Sequence, residues 1–231
     1  RFSRSRLRVN IIRHMRNLFV ILTVLWPCVL YAADDYLIIP GKRVGFITAD
    51  TTEADIKQRL KQGEYRRALI QVGEGYSRRG ILLYPDTPSE IQILWKSDQK
   101  IFSEYEDDSL ASAWSGPFAF QKPQRIKIQK SDSLWKTKEG IGIGSTLHDL
   151  EKANGGYFIF EGMDWDYSGT VVSWENGRLS SLFRPSLDLV RSSNGSTPPA
   201  LMGEKDIRSD SPETQAQQWK VNSIIVNFPN D

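Results

Sequence analysis

Between Phe158 and Gly169 the chain concentrates the side chains best suited to chemistry. Three carboxylates, Glu161, Asp164 and Asp166, fall within six residues and are interleaved with Trp165 and Tyr167. Carboxylates this close could hold calcium, a hard cation satisfied by oxygen ligands. They could also work as an acid and base pair if an aromatic pocket drove their pKa values apart. The segment lacks the glycine and the distal glutamate of an EF-hand loop. The plainer reading is a turn in which aspartates accept backbone N–H bonds while the two rings pack. Glu161, Asp164, Trp165, Asp166 and Tyr167 are therefore candidate binding residues, with no catalytic set and no metal site assigned.

Other reactive patterns are sparse. His148 sits at a helix start between Leu147 and Asp149, and one histidine makes no typical zinc site without several carboxylate partners. A Ser-His-Asp hydrolase would have to use His148, and no Gly-x-Ser-x-Gly elbow supports it. Ser97-Asp98-Gln99-Lys100 and Ser133-Leu134-Trp135-Lys136 match the Ser-x-x-Lys pattern of penicillin-recognising enzymes, without the accompanying motifs. The glycines of Gly140-Ile141-Gly142-Ile143-Gly144 lack phosphate-loop spacing and suit close backbone approach at a strand-to-helix turn. No cofactor is implied.

The elements that must position these residues begin after an address label. Residues 1–16 carry six arginines and no acid, the run from Leu18 to Trp26 is apolar, and Ala32-Ala33 precede Asp34-Asp35. That order reads as a signal peptide over 1–33. The apolar stretch of about 14 residues falls short of the ~20 needed to span a bilayer. Met15 can serve as the start, and an uncleaved anchor is the alternative. The chain has 30 basic residues against 28 acidic; without the six arginines of 1–33 it has 24 against 28, a net of −4. Nucleic acid thereby drops out as an expected partner. Cys28, the only cysteine, leaves with the signal, so thiol chemistry and disulfides are excluded. A periplasmic or secreted protein of about 198 residues with six of the seven tryptophans remains, with no membrane span after cleavage.

Two segments look alike. Thr52-x-x-Asp55 and Thr146-x-x-Asp149 each read as a capping box opening a helix, and Gly63 and Gly155 read as stops. Hairpin patterns follow: Gly80–Tyr84 with Glu90–Trp95, and Gly169–Trp174 with Arg178–Phe183 across Asn176-Gly177. The alternation in Gln124–Gln129 and around Ile224, Val226 and Phe228 predicts further strands. The expected fold is α+β, two related helix-plus-antiparallel-hairpin units over 34–110 and 111–231. The second carries a long loop, 186–218, and a C-terminal strand.

The stretch Lys136–Glu151, continuing through Asn154-Gly155 to Trp165-Asp166-Tyr167-Ser168-Gly169, resembles an uncharacterised family of exported bacterial proteins. The tandem plan is similar to β-lactamase-inhibitor-protein-like repeats, which present a sheet to partner proteins. Neither likeness supplies catalytic residues, and architecture carries no function by itself. The reading is a non-enzymatic binding or interaction module for an unknown protein or envelope component. The alternatives are a carboxylate-based hydrolase of cell-envelope glycan using Glu161, Asp164 or Asp166, and a calcium-stabilised structural domain.

Overall fold

The structure, a computed structural model, describes residues 36–105, 112–180, 187–192 and 195–228. The leader over 1–33 and the boundary at 110/111 lie outside these residues. In chain order the elements are β1 (Leu37–Ile39), β2 (Arg43–Val44), β3 (Ile47–Thr48), α1 (Glu53–Arg59), β4 (Tyr65–Gly73), β5 (Tyr76–Leu83), β6 (Ile91–Trp95) and β7 (Ile101–Ser103). They continue with β8 (Pro123–Ile128), β9 (Lys136–Thr137), α2 (Leu147–Asn154), β10 (Ile159–Glu161), β11 (Val171–Ser173), β12 (Leu187–Arg191), β13 (Asp206–Arg208), α3 (Pro212–Gln215) and β14 (Trp219–Asn227).

The two capping boxes form as their spacing predicts. The Thr52 amide donates to Asp55 Oδ2 at 2.8 Å while the Asp55 amide donates to Thr52 Oγ1 at 3.2 Å. Thr146 and Asp149 repeat this at 2.8 and 3.2 Å, so orphan donors at both helix starts are satisfied. Each cap also bridges to a strand segment, Thr52 to Gln121 and Thr146 to Lys220. Ile56 and Leu150 are then carried into the core with no exposed surface.

Strand alternation builds the rest. Ile81 and Leu83, Ile91, Ile93 and Trp95, Ile126 and Ile128, and Ile224 and Val226 all belong to one apolar core shared with α1, α2 and the small sheets. They occupy one face of a sheet of seven strands, ordered β12-β14-β8-β6-β5-β4, with β7 also on β5. All its pairings are antiparallel. A four-stranded sheet, β3-β2-β1-β9, pairs β1 with β9 in parallel, and a three-stranded sheet runs β11-β10-β13.

The α+β expectation of two helix-plus-hairpin units is corrected here. The described residues are 39% strand and 12% helical, and α1 and α2 run only seven and eight residues. Strands from both halves meet in one sheet where β6 pairs with β8. Among the described residues the second hairpin is not seen: β11 pairs with β10, Arg178–Ser180 form a turn with Leu179 buried, and 181–183 lie outside the described residues. The reason is Asn154, which is 1% exposed. Its Nδ2 donates to the Gly156, Tyr157 and Trp174 carbonyls at 3.2, 3.1 and 3.0 Å, and its Oδ1 accepts from the Leu179 amide at 3.2 Å. A Cβ on Gly177 would sit 2.1 Å from Asn154 Oδ1. Gly177 thus makes room for this side chain rather than turning a hairpin. The 186–218 stretch, expected as a loop, holds β12, β13 and α3. There polar side chains replace apolar ones as supports: Thr214 Oγ1 donates to the Arg208 carbonyl at 2.9 Å, and buried Ser209 donates to Glu151 at 2.7 Å.

Candidate functional site

The acidic and aromatic segment is a strapped turn between β10 and β11. Its ends close through the Glu161 amide donating to Thr170 O at 2.8 Å and the Gly169 amide donating to Glu161 O at 3.1 Å. A neighbouring segment holds it from one side: the Gly162 and Met163 amides donate to the Lys205 and Leu201 carbonyls at 2.9 and 2.7 Å. A Cβ on Gly162 would stand 2.3 Å from Gly203 O, and one on Gly169 would stand 2.1 Å from Leu189 O. Both positions therefore need glycine for close approach.

Within this turn the five candidates do not gather. Glu161 is half-buried at the end of β10, opposite Asp206. Asp164 is exposed in the left-handed region, φ +67°, and Asp166 is exposed beyond it. The Trp165 indole donates to Gly162 O at 2.9 Å, its amide donates to Ser168 Oγ at 2.9 Å, and Tyr167 stands edge-on to it at 5.3 Å, largely in solvent. Among the described residues no three His, Cys, Asp or Glu side chains come together to hold a metal ion. The Trp165 donor is spent on the turn itself. His148 is exposed on α2, and four of the tryptophans, Trp95, Trp135, Trp174 and Trp219, are core residues.

A different set of residues converges on the face of the seven-stranded sheet opposite the core. Directly paired residues share a face, so the register defines rows across the strands. Arg66, Leu82, Gln92, Lys127 and Ile225 form one row. Ala68, Gly80, Leu94, Arg125 and Asn227 form the next, and Ile70 pairs with Arg78 in a third. Gly80 is required here: a Cβ would meet Ile70 Cδ1 at 2.3 Å and Ile93 O at 2.5 Å. Ile70 fills the space over Gly80, and a depression of about 230 Å³ lies beside it, with a lining that includes Ile70, Gln92, Leu94, Arg125, Lys127 and Ile225.

The charge on this face is one-sided. Arg125 Nε donates to Asn227 Oδ1 at 3.2 Å, and among the described residues no carboxylate lies within ion-pair distance of Arg66, Arg125 or Lys127. Asp188, on neighbouring β12, already accepts from Thr170 and Ser223. Arg78 is anchored at the rim: Nη1 donates to Gln124 Oε1 at 2.9 Å, and Nη2 to the Trp95 and Asp98 carbonyls at 2.9 and 2.6 Å. Burial pulls its guanidinium below the ordinary arginine value, Asp98 opposes this, and Arg125 adds to it. Its neighbour Arg79 turns to the other face, where Nη2 donates to Asp98 Oδ1 at 3.0 Å and the guanidinium lies 4.2 Å over Phe118.

A second, wider hollow of about 610 Å³ lies beside the Gly140–Gly144 segment, where Lys136, Lys152 and Arg178 face Glu139 and Asp149. Arg178 and Asp149 there are committed elsewhere. Arg178 donates to the Ala153 and Lys152 carbonyls at the end of α2, at 3.0 and 2.6 Å, and Asp149 caps the same helix. The cationic sheet face was only partly readable beforehand. The alternation of Arg125 and Lys127 with Ile126 and Ile128 places both cations on one side of a strand. Nothing local says that Arg66, three strands away, shares that side. No family model, curated protein or solved structure matches this chain, so its function is read from its own residues.

Proposed function

We propose that this protein is an exported, periplasmic or secreted, non-enzymatic binding module that engages a partner protein or envelope component through the open face of its seven-stranded sheet. The observation that carries this reading is a set of cations without a carboxylate partner among the described residues on one sheet face, Arg66, Arg125 and Lys127, with Leu82 and Leu94 between them. Cations at a surface contribute little to stability, whereas gathered on one face they create a field that steers and orients an oppositely charged partner. The Arg-rich, apolar, Ala-Ala leader supports export, and no helix among the described residues is long and apolar enough to cross a membrane. Nucleic acid is left out of the partner class because the chain beyond residue 33 is net acidic.

The test is a double charge reversal, Arg125→Glu with Lys127→Glu. Both side chains point away from the core, so the thermal midpoint of the variant is expected to stay close to that of the parent. Cross-linking to a cell-envelope fraction should yield a discrete adduct with the parent protein and lose it in the variant. Identical adduct patterns from the two proteins would refute the reading.

A further inference from the structure

The open face has a size that selects among occupants. Neighbouring strands lie ~4.8 Å apart, so the four steps from β4 to β14 span roughly 19 Å, and the three rows span roughly 14 Å along the strands. These dimensions suit a narrow segment lying across the strands between the cations. The depression, at about 230 Å³, is smaller than the ~300–1,000 Å³ of small-molecule pockets. A single extended segment fits both. At ~3.3 Å per residue, about six residues cross the patch, and the depression accepts one large side chain.

The chemistry of the face decides what that segment carries. Arg66 stands on β4 and Arg125 and Lys127 on β8, and Leu82 on β5 and Leu94 on β6 lie on the strands between them. Gln92 pairs with Lys127 across the strands, and Gln71 and Gln92 line the depression with amide donors and acceptors. We propose that the partner presents an extended acidic segment of about six residues, with one large apolar side chain seated over Leu94, between the two cationic sides. Its carboxylates lie on Arg125 and Lys127 at one end and on Arg66 at the other. This rests on the sheet face being the interface, and it adds what the interface reads: negative charge on both sides of one apolar anchor.

The probe is a fluorescein-labelled hexapeptide, Glu-Asp-Phe-Glu-Asp-Glu, followed by anisotropy with the full chain. Saturable binding is expected, weakening about tenfold when salt is raised from about 50 to about 500 mM, since contacts at an exposed face are screened. Arg125→Glu with Lys127→Glu should weaken it by at least about tenfold, and Arg66→Glu, on the edge strand and harmless to the fold, by several-fold. Replacing the peptide phenylalanine with alanine should cost about tenfold, consistent with loss of a buried anchor. No saturable binding up to about 1 mM peptide (a standard free energy of about −4 kcal/mol), or binding indifferent to all three substitutions, overturns the inference. Co-sedimentation with phosphatidylglycerol vesicles in the absence of peptide binding also overturns it, in favour of an anionic membrane surface. If the envelope adduct depends on Arg125 and Lys127 while the hexapeptide does not bind, the interface stands and only the acidic segment falls.

Discussion

Asn154 and Gly177 show how one buried amide and one missing side chain hold together the segments from α2 to Leu179. The amide of Asn154 serves three carbonyls and one amide from the segments that follow α2, all in a buried setting. Gly177→Ala places a methyl group where Asn154 already stands, and Asn154 cannot rotate away without abandoning buried partners. We expect a loss of about 1–3 kcal/mol, the usual cost of overpacking, read as a lower urea midpoint with unchanged slope. Asp98 is the corresponding charged decision. At 4% exposure it serves two buried guanidiniums, its carboxylate on Arg79 and its main-chain carbonyl on Arg78. Asp98→Asn keeps the shape but leaves the Arg79 charge uncompensated in the interior. The expected loss is about 3–5 kcal/mol, the range for removing one partner of a buried pair, again measured by urea unfolding. The ring of Phe118 under Arg79 softens this cost.

The two helices test how far local rules reach. Thr52→Ala and Thr146→Ala each remove a reciprocal cap and should each cost about 1 kcal/mol, adding in the double variant because the caps share no partner. The acids of these boxes also give stability a pH signature. The hydrogen bond from the Thr52 side chain holds Asp55 below the ordinary aspartate value, and the bond from the Thr146 backbone does the same for Asp149. A carboxyl whose pKa is lower when folded stabilises the folded chain above its unfolded value, near ~3.9, and that support fades as pH falls through the lower folded value. The thermal midpoint of Thr52→Ala should therefore approach that of the parent as pH is lowered through this window, whereas Thr146→Ala keeps the backbone bond to Asp149 and should close less of its gap. The caps were legible in the sequence because everything they need lies within four consecutive residues. The strand at Gln124–Gln129 was legible for a similar reason, its alternation being intrinsic to it. The second hairpin was not: Asn176-Gly177 carries the local signature of a turn, while the neighbour that sets Gly177's role sits more than twenty residues earlier. β12 and β13 escaped because their alternation, Leu187 with Leu189 and Ile207 alone, runs only five and three residues inside a stretch rich in Ser, Pro and charged residues. The five candidate binding residues were found as a cluster in sequence, and their separation in space follows from Gly162 and Gly169 drawing the turn tight against its neighbours.

For the molecule as a whole, the distribution of weight matters most. Helices and small sheets all pack on one side of the seven-stranded sheet, and the other side keeps its cations uncovered. The cationic face is a product of register among five strands, which is why it could not be read from any single stretch. A body that is net acidic beyond residue 33 and carries a basic face has a built-in orientation, since long-range repulsion disfavours an acidic partner everywhere except there. Charge reversal at Arg125 and Lys127 should accordingly slow association more than it speeds release, and a stopped-flow measurement with the hexapeptide separates the two rates. The position of β14 has a further effect, on the order of events during synthesis. This strand comes after every other element in the chain, yet it lies inside the sheet between β8 and β12. A nascent polypeptide halted before Trp219 leaves β8 with an open edge and β12 with no strand in this sheet. The seven-stranded sheet therefore cannot be completed until translation has passed residue 227.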